Sequence, residues 1–195
     1  PYGNGHCWAV DPSDASVIMQ TAKKHKLTIT HILVTHHHTD HIAGIESLKK
    51  VYSATVVSSD AKRIPDTDLQ VSNNNTLTLG DWTLRVIAAP GHTSTSICYL
   101  GTHPTKPPVL YAGDTLFACG CGRLFEGSAR EMFHTLQTLA TLPDETRLYP
   151  GHNYTEENVR FALSLEPDKP ALIALLRSVQ SETAFTTTTL AQEKQ

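Results

Sequence analysis

Residues 29–41 read Ile29-Thr30-His31-Ile32-Leu33-Val34-Thr35-His36-His37-His38-Thr39-Asp40-His41. The run Ile29 to Thr35 is apolar and β-branched and stops at a polar cluster, the pattern of a buried strand feeding a loop. Residues two apart in an extended chain face the same way, so His36 and His38 can grip one ion while His37 points away. The chain must then turn before Asp40 and His41 can reach a second ion. An Asp among imidazoles suits zinc, and equally iron or manganese. The competing reading is a fortuitous run of solvated loop residues.

Outward from this stretch, the same arrangement recurs. Pro90-Gly91-His92-Thr93, Ala112-Gly113-Asp114-Thr115 and Tyr149-Pro150-Gly151-His152-Asn153 each follow a strand-like segment, so each puts a candidate ligand at a strand end. Alone, a Gly-His or Gly-Asp is more often a turn than a metal site. Their recurrence changes the balance: His36, His38, Asp40, His41, His92, Asp114 and His152 divide between two ions and leave room for water between them.

The remaining segments supply a frame. Cys7 to Asp11 is a short strand, after which Ser13 is positioned to cap a helix reaching about Lys24, with Val17, Ile18 and Ala22 on one face. Ala43 to Val51 is helical, Ala54 to Ser58 extended and Lys62 to Asn75 a polar loop. Thr76 to Leu79 and Trp82 to Ala88 form a hairpin about Gly80-Asp81. Ile97 to Leu100, Val109 to Ala112 and Arg147 to Tyr149 are further strands. Ser128 and Glu131 make a capping box ahead of a stripe of Met132, Phe133, Leu136 and Leu139. Beyond it, Glu156 to Leu165 and Lys169 to Val179 read as helices separated by Pro167 and Pro170. Strands interleaved with helices point to an α/β (α+β layered) fold. The expected division is a catalytic domain over 1–152 and a partial helical substrate-binding domain over 153–195.

Composition narrows the partners. With 39% hydrophobic residues over 195 positions, the chain can bury one sizeable core. A formal net charge of -3 gives no bulk attraction to nucleic acid or an anionic membrane. No apolar run approaches the roughly 20 residues of a membrane helix, and no signal-peptide pattern opens the chain, so a cytoplasmic, monomeric protein is expected. Pro1 to Gly5 reads as a turn, and an upstream segment is expected to have been removed. The four cysteines, Cys7, Cys98, Cys119 and Cys121, lack paired spacing and read as free thiols. Thr186 to Thr189 is the only short biased run.

The order His-x-His-x-Asp-His, Gly-His, Gly-Asp, Gly-His resembles the metallo-β-lactamase superfamily and spans Asp11 to His152. The resemblance implies an αβ/βα sandwich with a short helical C-terminal appendage and the metals at one edge. It implies that His36, His38 and His92 hold one ion and Asp40, His41 and His152 the other, with Asp114 bridging. Asp11 matches an acidic position that orients a ligand, and reads equally well as a turn residue in Asp-Pro-Ser. His6, His25, His31, His103 and His134 match nothing.

Gly120-Cys121-Gly122-Arg123-Leu124-Phe125-Glu126-Gly127 and Gly151-His152-Asn153-Tyr154-Thr155 resemble signature segments of the glyoxalase II (hydroxyacylglutathione hydrolase) family. That resemblance implies a metal-dependent thioester hydrolase converting S-(2-hydroxyacyl)glutathione and water to glutathione and a 2-hydroxy acid such as D-lactate, in methylglyoxal detoxification. Two divalent metal ions, most simply zinc, serve as cofactors. Arg123, Phe125 and Tyr154 are the implied substrate contacts, and Asp40 and Asp114 the catalytic carboxylates. The family's Gly-His after Thr-Ser is here Thr95-Ser96, and its N-terminal Asp-Asn-Tyr strand and basic C-terminal motif have no counterpart. The alternatives are a persulfide dioxygenase with one iron, which shares Gly-Cys-Gly-Arg, and a non-catalytic metal-binding module. A true β-lactamase is disfavoured, because the second-metal Cys of the main lactamase groups is missing.

Overall fold

Alternation along the strands decides which face each residue joins, and here it builds three layers of core. The computed structural model describes residues 1–181 and 187–195. In chain order these form β1 (His6–Val10), α1 (Ala15–Lys24), β2 (Thr28–Leu33), α2 (Thr39–Ile42), α3 (Ile45–Tyr52), β3 (Thr55–Ser58), β4 (Leu69–Gln70), β5 (Thr76–Leu79), β6 (Trp82–Ala88), β7 (Ile97–Thr102), β8 (Val109–Gly113), β9 (Leu116–Phe117), β10 (Gly120–Cys121), α4 (Ala129–Ala140), β11 (Arg147–Pro150), α5 (Thr155–Leu165), α6 (Pro170–Ser181) and α7 (Leu190–Glu193). One sheet, β1-β2-β3-β4, is parallel; the other runs β11-β8-β7-β6-β5 and is antiparallel except where β11 joins β8.

Val56 and Val57 show the logic. Successive strand residues face opposite ways, so Val56 joins Ile45 and Leu48 of α3 in an outer core while Val57 joins Leu84, Val86, Ile97 and Tyr99 between the sheets. On the far side, Cys98, Leu100, Leu110 and Ala112 pack against Leu139 of α4 and Leu190 of α7. Helices therefore cover the outer faces of two stacked sheets, the αβ/βα sandwich expected. The hairpin forms as expected, with Thr78 opposite Thr83 and Leu79 opposite Trp82. The Ser128–Glu131 capping box is present.

Three local expectations need correction. Asp14, not Ser13, caps α1, because its carboxylate accepts the amides of Ser16 (2.8 Å) and Val17 (3.4 Å). On this helix Val17 lies outward, 57% exposed, while Ala22 is buried. On α4 the buried positions are Met132, Thr135 and Leu139, and Phe133 faces solvent. The residues after His38 form the helical turn α2, and two short elements, the β9–β10 ribbon and α7, carry too few residues for a periodic signal. Thr186, at the head of the threonine run, lies outside the described residues. No helix among the described residues is long and apolar enough to cross a membrane.

Tyr99 ties the sheets together. It is fully buried, and its hydroxyl lies 3.1 Å from both the Val34 and Val57 carbonyls. Val57 also accepts the Val34 amide at 2.9 Å, so Val34 depends more on the phenol. Tyr99→Phe is expected to lower stability by about 1–3 kcal/mol, the cost of an unpaired buried carbonyl, read as a shift of the urea midpoint at unchanged m-value.

Candidate metal centre and substrate cleft

β6 and β8 both run antiparallel to β7, and β11 runs parallel to β8, so all three end at the same edge of their sheet. Pro90-Gly91-His92, Asp114 and Gly151-His152 follow those ends. The other sheet delivers its own loop to the same edge, because the Ile97 amide donates to the Thr35 carbonyl at 3.0 Å just before His36. Gly113 allows the sheets to meet: its φ is +49°, and an added Cβ would stand 2.2 Å from Thr35 Oγ1.

The ligand candidates converge in groups. His36, His38 and His92 form one, and Asp40, His41 and His152 another, with the donor atoms in each within 4.8 Å of one another. Asp114 stands between them: Oδ1 is 3.4 Å from His41 Nε2, and Oδ2 is 3.5 Å from His152 Nε2 and 3.6 Å from His92 Nε2.

In three of these rings, His36, His41 and His92, the Nδ1 proton is committed elsewhere. His92 Nδ1–H donates to the Arg123 carbonyl at 2.8 Å, and His41 Nδ1–H to Asp11 Oδ2 at 3.0 Å. The Thr35 hydroxyl donates to Asp11 Oδ2 at 2.6 Å and so receives His36 Nδ1–H at 3.0 Å. The free lone pairs of His36 Nε2 and His92 Nε2 then face His38 Nδ1 at 3.1 and 3.0 Å. A proton on His38 Nδ1 could serve one of these two acceptors and would leave the other without a donor, whereas a cation among the three nitrogens satisfies all of them. Zinc–nitrogen bonds of about 2.0–2.1 Å at tetrahedral angles separate ligand nitrogens by roughly 3.3 Å, close to what is found.

Electrostatics agree with the donor geometry. Burial lowers the pKa values of His36, His38 and His92, so each is a neutral base at pH 7. Burial also opposes charge on His41, but Asp11, Asp114 and Asp40 outweigh it and raise that pKa. Burial pushes the Asp114 carboxyl up against the pull of His41, His152 and His92. Asp114 Oδ1 is buried without a hydrogen-bond partner. An unpaired buried carboxylate oxygen is costly, and a cation at this point removes the cost. The residues present thus fit divalent metal.

Asp11 proves to be more than a turn residue. At φ +45° it accepts the Thr35 amide (2.7 Å) and hydroxyl while holding His41, so it fixes the rings of two candidate ligands, His41 directly and His36 through Thr35. Cys119 and Cys121 join neither ligand group, and all four cysteines are free thiols.

A cleft of about 760 Å³ opens over the centre, lined by His38, Asp40, His92, Asp114 and His152 and also by Arg123, Phe125 and Tyr154. Tyr154 stacks on the His152 ring at 5.1 Å and meets Phe117 edge-on at 5.3 Å. Arg123 is the one basic side chain among the described lining residues. Sequence reasoning missed Phe117 and Asn158 on this wall. Asn158 was within reach of it: four residues after Tyr154 on α5, its amide donates to the Tyr154 carbonyl at 2.9 Å, so both share a helix face.

A two-sheet sandwich carrying this His/Asp constellation at one edge defines a metallohydrolase of the metallo-β-lactamase type, and the model of the metallo-beta-lactamase superfamily matches residues 10–152. The model of the hydroxyacylglutathione hydrolase C-terminus matches residues 153–195. Curated relatives named hydroxyacylglutathione hydrolase include those of Maricaulis maris and Rhizobium etli, each 43% identical over 98% of this chain and 76% of the relative. Among solved structures, ETHE1 from Myxococcus xanthus superposes with a TM-score of 0.75 at 29% identity, covering 100% of this chain and 73% of that one. The BLEG-1 B3 metallo-beta-lactamase shares the fold, with a TM-score of 0.71 at 24% identity over 99% of this chain and 88% of that one. The chain belongs to the hydroxyacylglutathione hydrolase family of the metallo-β-lactamase superfamily.

Proposed function

We propose that this chain hydrolyses S-(2-hydroxyacyl)glutathione, releasing glutathione and a 2-hydroxy acid such as D-lactate, at a site for two divalent ions, zinc by preference. The observation that carries the proposal is the convergence of imidazole nitrogens on either side of Asp114, beneath a cleft lined by Arg123 and Tyr154. The family membership supplies the substrate class.

In this reading His36, His38 and His92 hold one ion, Asp40, His41 and His152 the other, and Asp114 is shared. When bound, the pair supplies Lewis acidity that makes water acidic and polarises an acyl carbonyl. The protein does the rest. Asp11 and Thr35 keep the rings of His41 and His36 aimed inward. Asp40, whose side chain is 57% exposed and whose Oδ2 lies 3.1 Å from His152 Nε2, would hold the ion through that oxygen and steer the proton of the attacking water toward solvent with the other. Arg123 meets a carboxylate of the glutathione moiety, and the Tyr154 hydroxyl donates to the same moiety. A thiol with a pKa of about 8.5 leaves as thiolate without a strong general acid. Residues 153–195 act as the substrate-binding appendage, since α5 contributes Tyr154's neighbour Asn158 to the cleft wall. Free thiols suit a reducing compartment, so the cytoplasm is the proposed setting.

Incubation with S-D-lactoylglutathione tests this directly: D-lactate and free thiol should appear in equal amounts, with two ions per chain by elemental analysis. One iron per chain, oxygen consumption and no thioester cleavage would overturn it. Tyr154→Phe is expected to raise KM about 2- to 12-fold at nearly constant kcat, the loss of one net hydrogen bond. Equal falls in kcat and kcat/KM would put Tyr154 in the chemistry instead.

A further inference from the structure

Phe125 is 63% exposed, yet its ring stands edge-on to both His38 and His92 at 5.3 Å. Apolar burial cannot hold so exposed a side chain in one place. Its loop is pinned by the Phe125 amide on the His92 carbonyl and the Gly127 amide on the Gly91 carbonyl, both at 3.1 Å. Between them, Glu126 reaches the other way. Its Oε2 accepts the Ser94 amide and hydroxyl, both at 2.8 Å, and its Oε1 accepts Arg63 Nη1 at 2.5 Å.

Arg63 is itself fully engaged. Its Nε donates to Asp60 Oδ2 at 2.5 Å, and its Nη2 to Thr95 Oγ1 at 2.7 Å. Asp60 is buried and also receives the Thr95 hydroxyl at 3.0 Å, so the guanidinium is held from both sides. His37 Nε2 lies 3.4 Å from Arg63 Nη1 and 3.5 Å from Glu126 Oε1. One ion pair thereby joins the loops that carry His36–His41, His92 and Phe125. A single exposed pair contributes little, but a fork whose donors are all in use fixes geometry.

We propose that Arg63 and Glu126 form a latch that holds the 123–127 loop, with Arg123 and Phe125, against the imidazoles of His38 and His92. They are positioning residues for the hydrolysis proposed above, on which this inference rests. Neither lines the cleft; both act through the loop they hold. Breaking the latch lets the loop leave its place, and if it is in place only a tenth of the time, apparent affinity falls by that fraction, roughly tenfold.

The test combines Arg63→Gln, Glu126→Gln and the double variant with two readouts. Hydrogen exchange at the Phe125 and Gly127 amides should speed up in all three with metal content as in wild type; Glu126→Gln should melt as wild type does, and the Arg63 variants lower, since buried Asp60 loses its cation. KM for S-D-lactoylglutathione should rise about 5- to 20-fold while kcat changes less than about twofold, and the double variant should be no worse than either single one. Arg63→Lys keeps the charge and loses the fork, so it should loosen the loop as well, and it serves if a Gln variant fails to fold. Unchanged amide exchange overturns the latch, as does loss of metal in the variants, which would mean that the pair supports the ligand loop through His37. The exchange readout needs no turnover: a wild-type chain without thioesterase activity would remove the proposed function and leave the latch to stand or fall on the amides.

Discussion

Asp114→Asn is expected to cut thioester hydrolysis by about a hundredfold to a thousandfold while the fold stays intact and metal content falls toward one ion per chain. The carboxylate lies 3.4–3.6 Å from imidazole nitrogens of both ligand groups, and its Oδ1 has no other partner. Replacing it with a neutral amide of the same shape leaves one oxygen and turns an N–H toward the place where a cation belongs. On the proposed two-ion site, the charge that would offset both cations is then lost, and removing one preorganised electrostatic group typically costs about 10²–10³ in rate. Stability should move the other way. Burial raises the Asp114 pKa, a sign that the charged form is uncomfortable without metal, so the metal-free variant should melt no lower than the metal-free wild type. The checks are elemental analysis, melting with and without chelator, and initial rates. A variant that keeps both ions and turns over near normally would show that Asp114 is not shared.

What the sequence revealed and what it concealed divide by the range of the interaction. The hairpin at 76–88 was legible because Gly80-Asp81 and the flanking alternation are local, and the Ser128–Glu131 cap was legible for the same reason. The meeting of the candidate ligand positions was legible because strand ends recur with short polar signatures, and topology brings those ends to one edge. Helix faces were less so: Val17 and Phe133 belong to apolar stripes in the sequence yet face solvent, because the face that is buried is chosen by packing partners distant in the chain. Asp11 could be read two ways, since the partners that give it a task, Thr35 and His41, lie 24 and 30 positions away. Arg63 and Glu126 are 63 positions apart and sit in loops without periodicity. No local pattern announces such a pair; only the sheet that brings their loops together does.

Gly122→Ala is expected to disable the site more thoroughly than a single methyl suggests. A Cβ at this position would lie 1.9 Å from the Asp114 carbonyl oxygen and 2.9 Å from His92 Nδ1. Neither obstacle can swing aside. The carbonyl belongs to the backbone that leaves β8, and His92 is held by its own bond to the Arg123 carbonyl at 2.8 Å. The strain must therefore resolve by moving the 121–123 segment outward. That movement draws the Arg123 carbonyl off His92 Nδ1, frees the ring to rotate, and carries the Arg123 side chain away from the cleft. Forcing a methyl into a packed site costs about 1–3 kcal/mol of stability. The functional loss should be larger, because displacing a reacting group by about 1 Å can cost roughly a hundredfold in rate. Supplying excess zinc separates the two effects: occupancy should recover, while kcat/KM stays low because Arg123 remains misplaced. If Gly122→Ala instead shows wild-type rates and full occupancy without added metal, the close approach of residue 122 to Asp114 does not constrain the site, and the glycine there serves some purpose other than admitting the backbone.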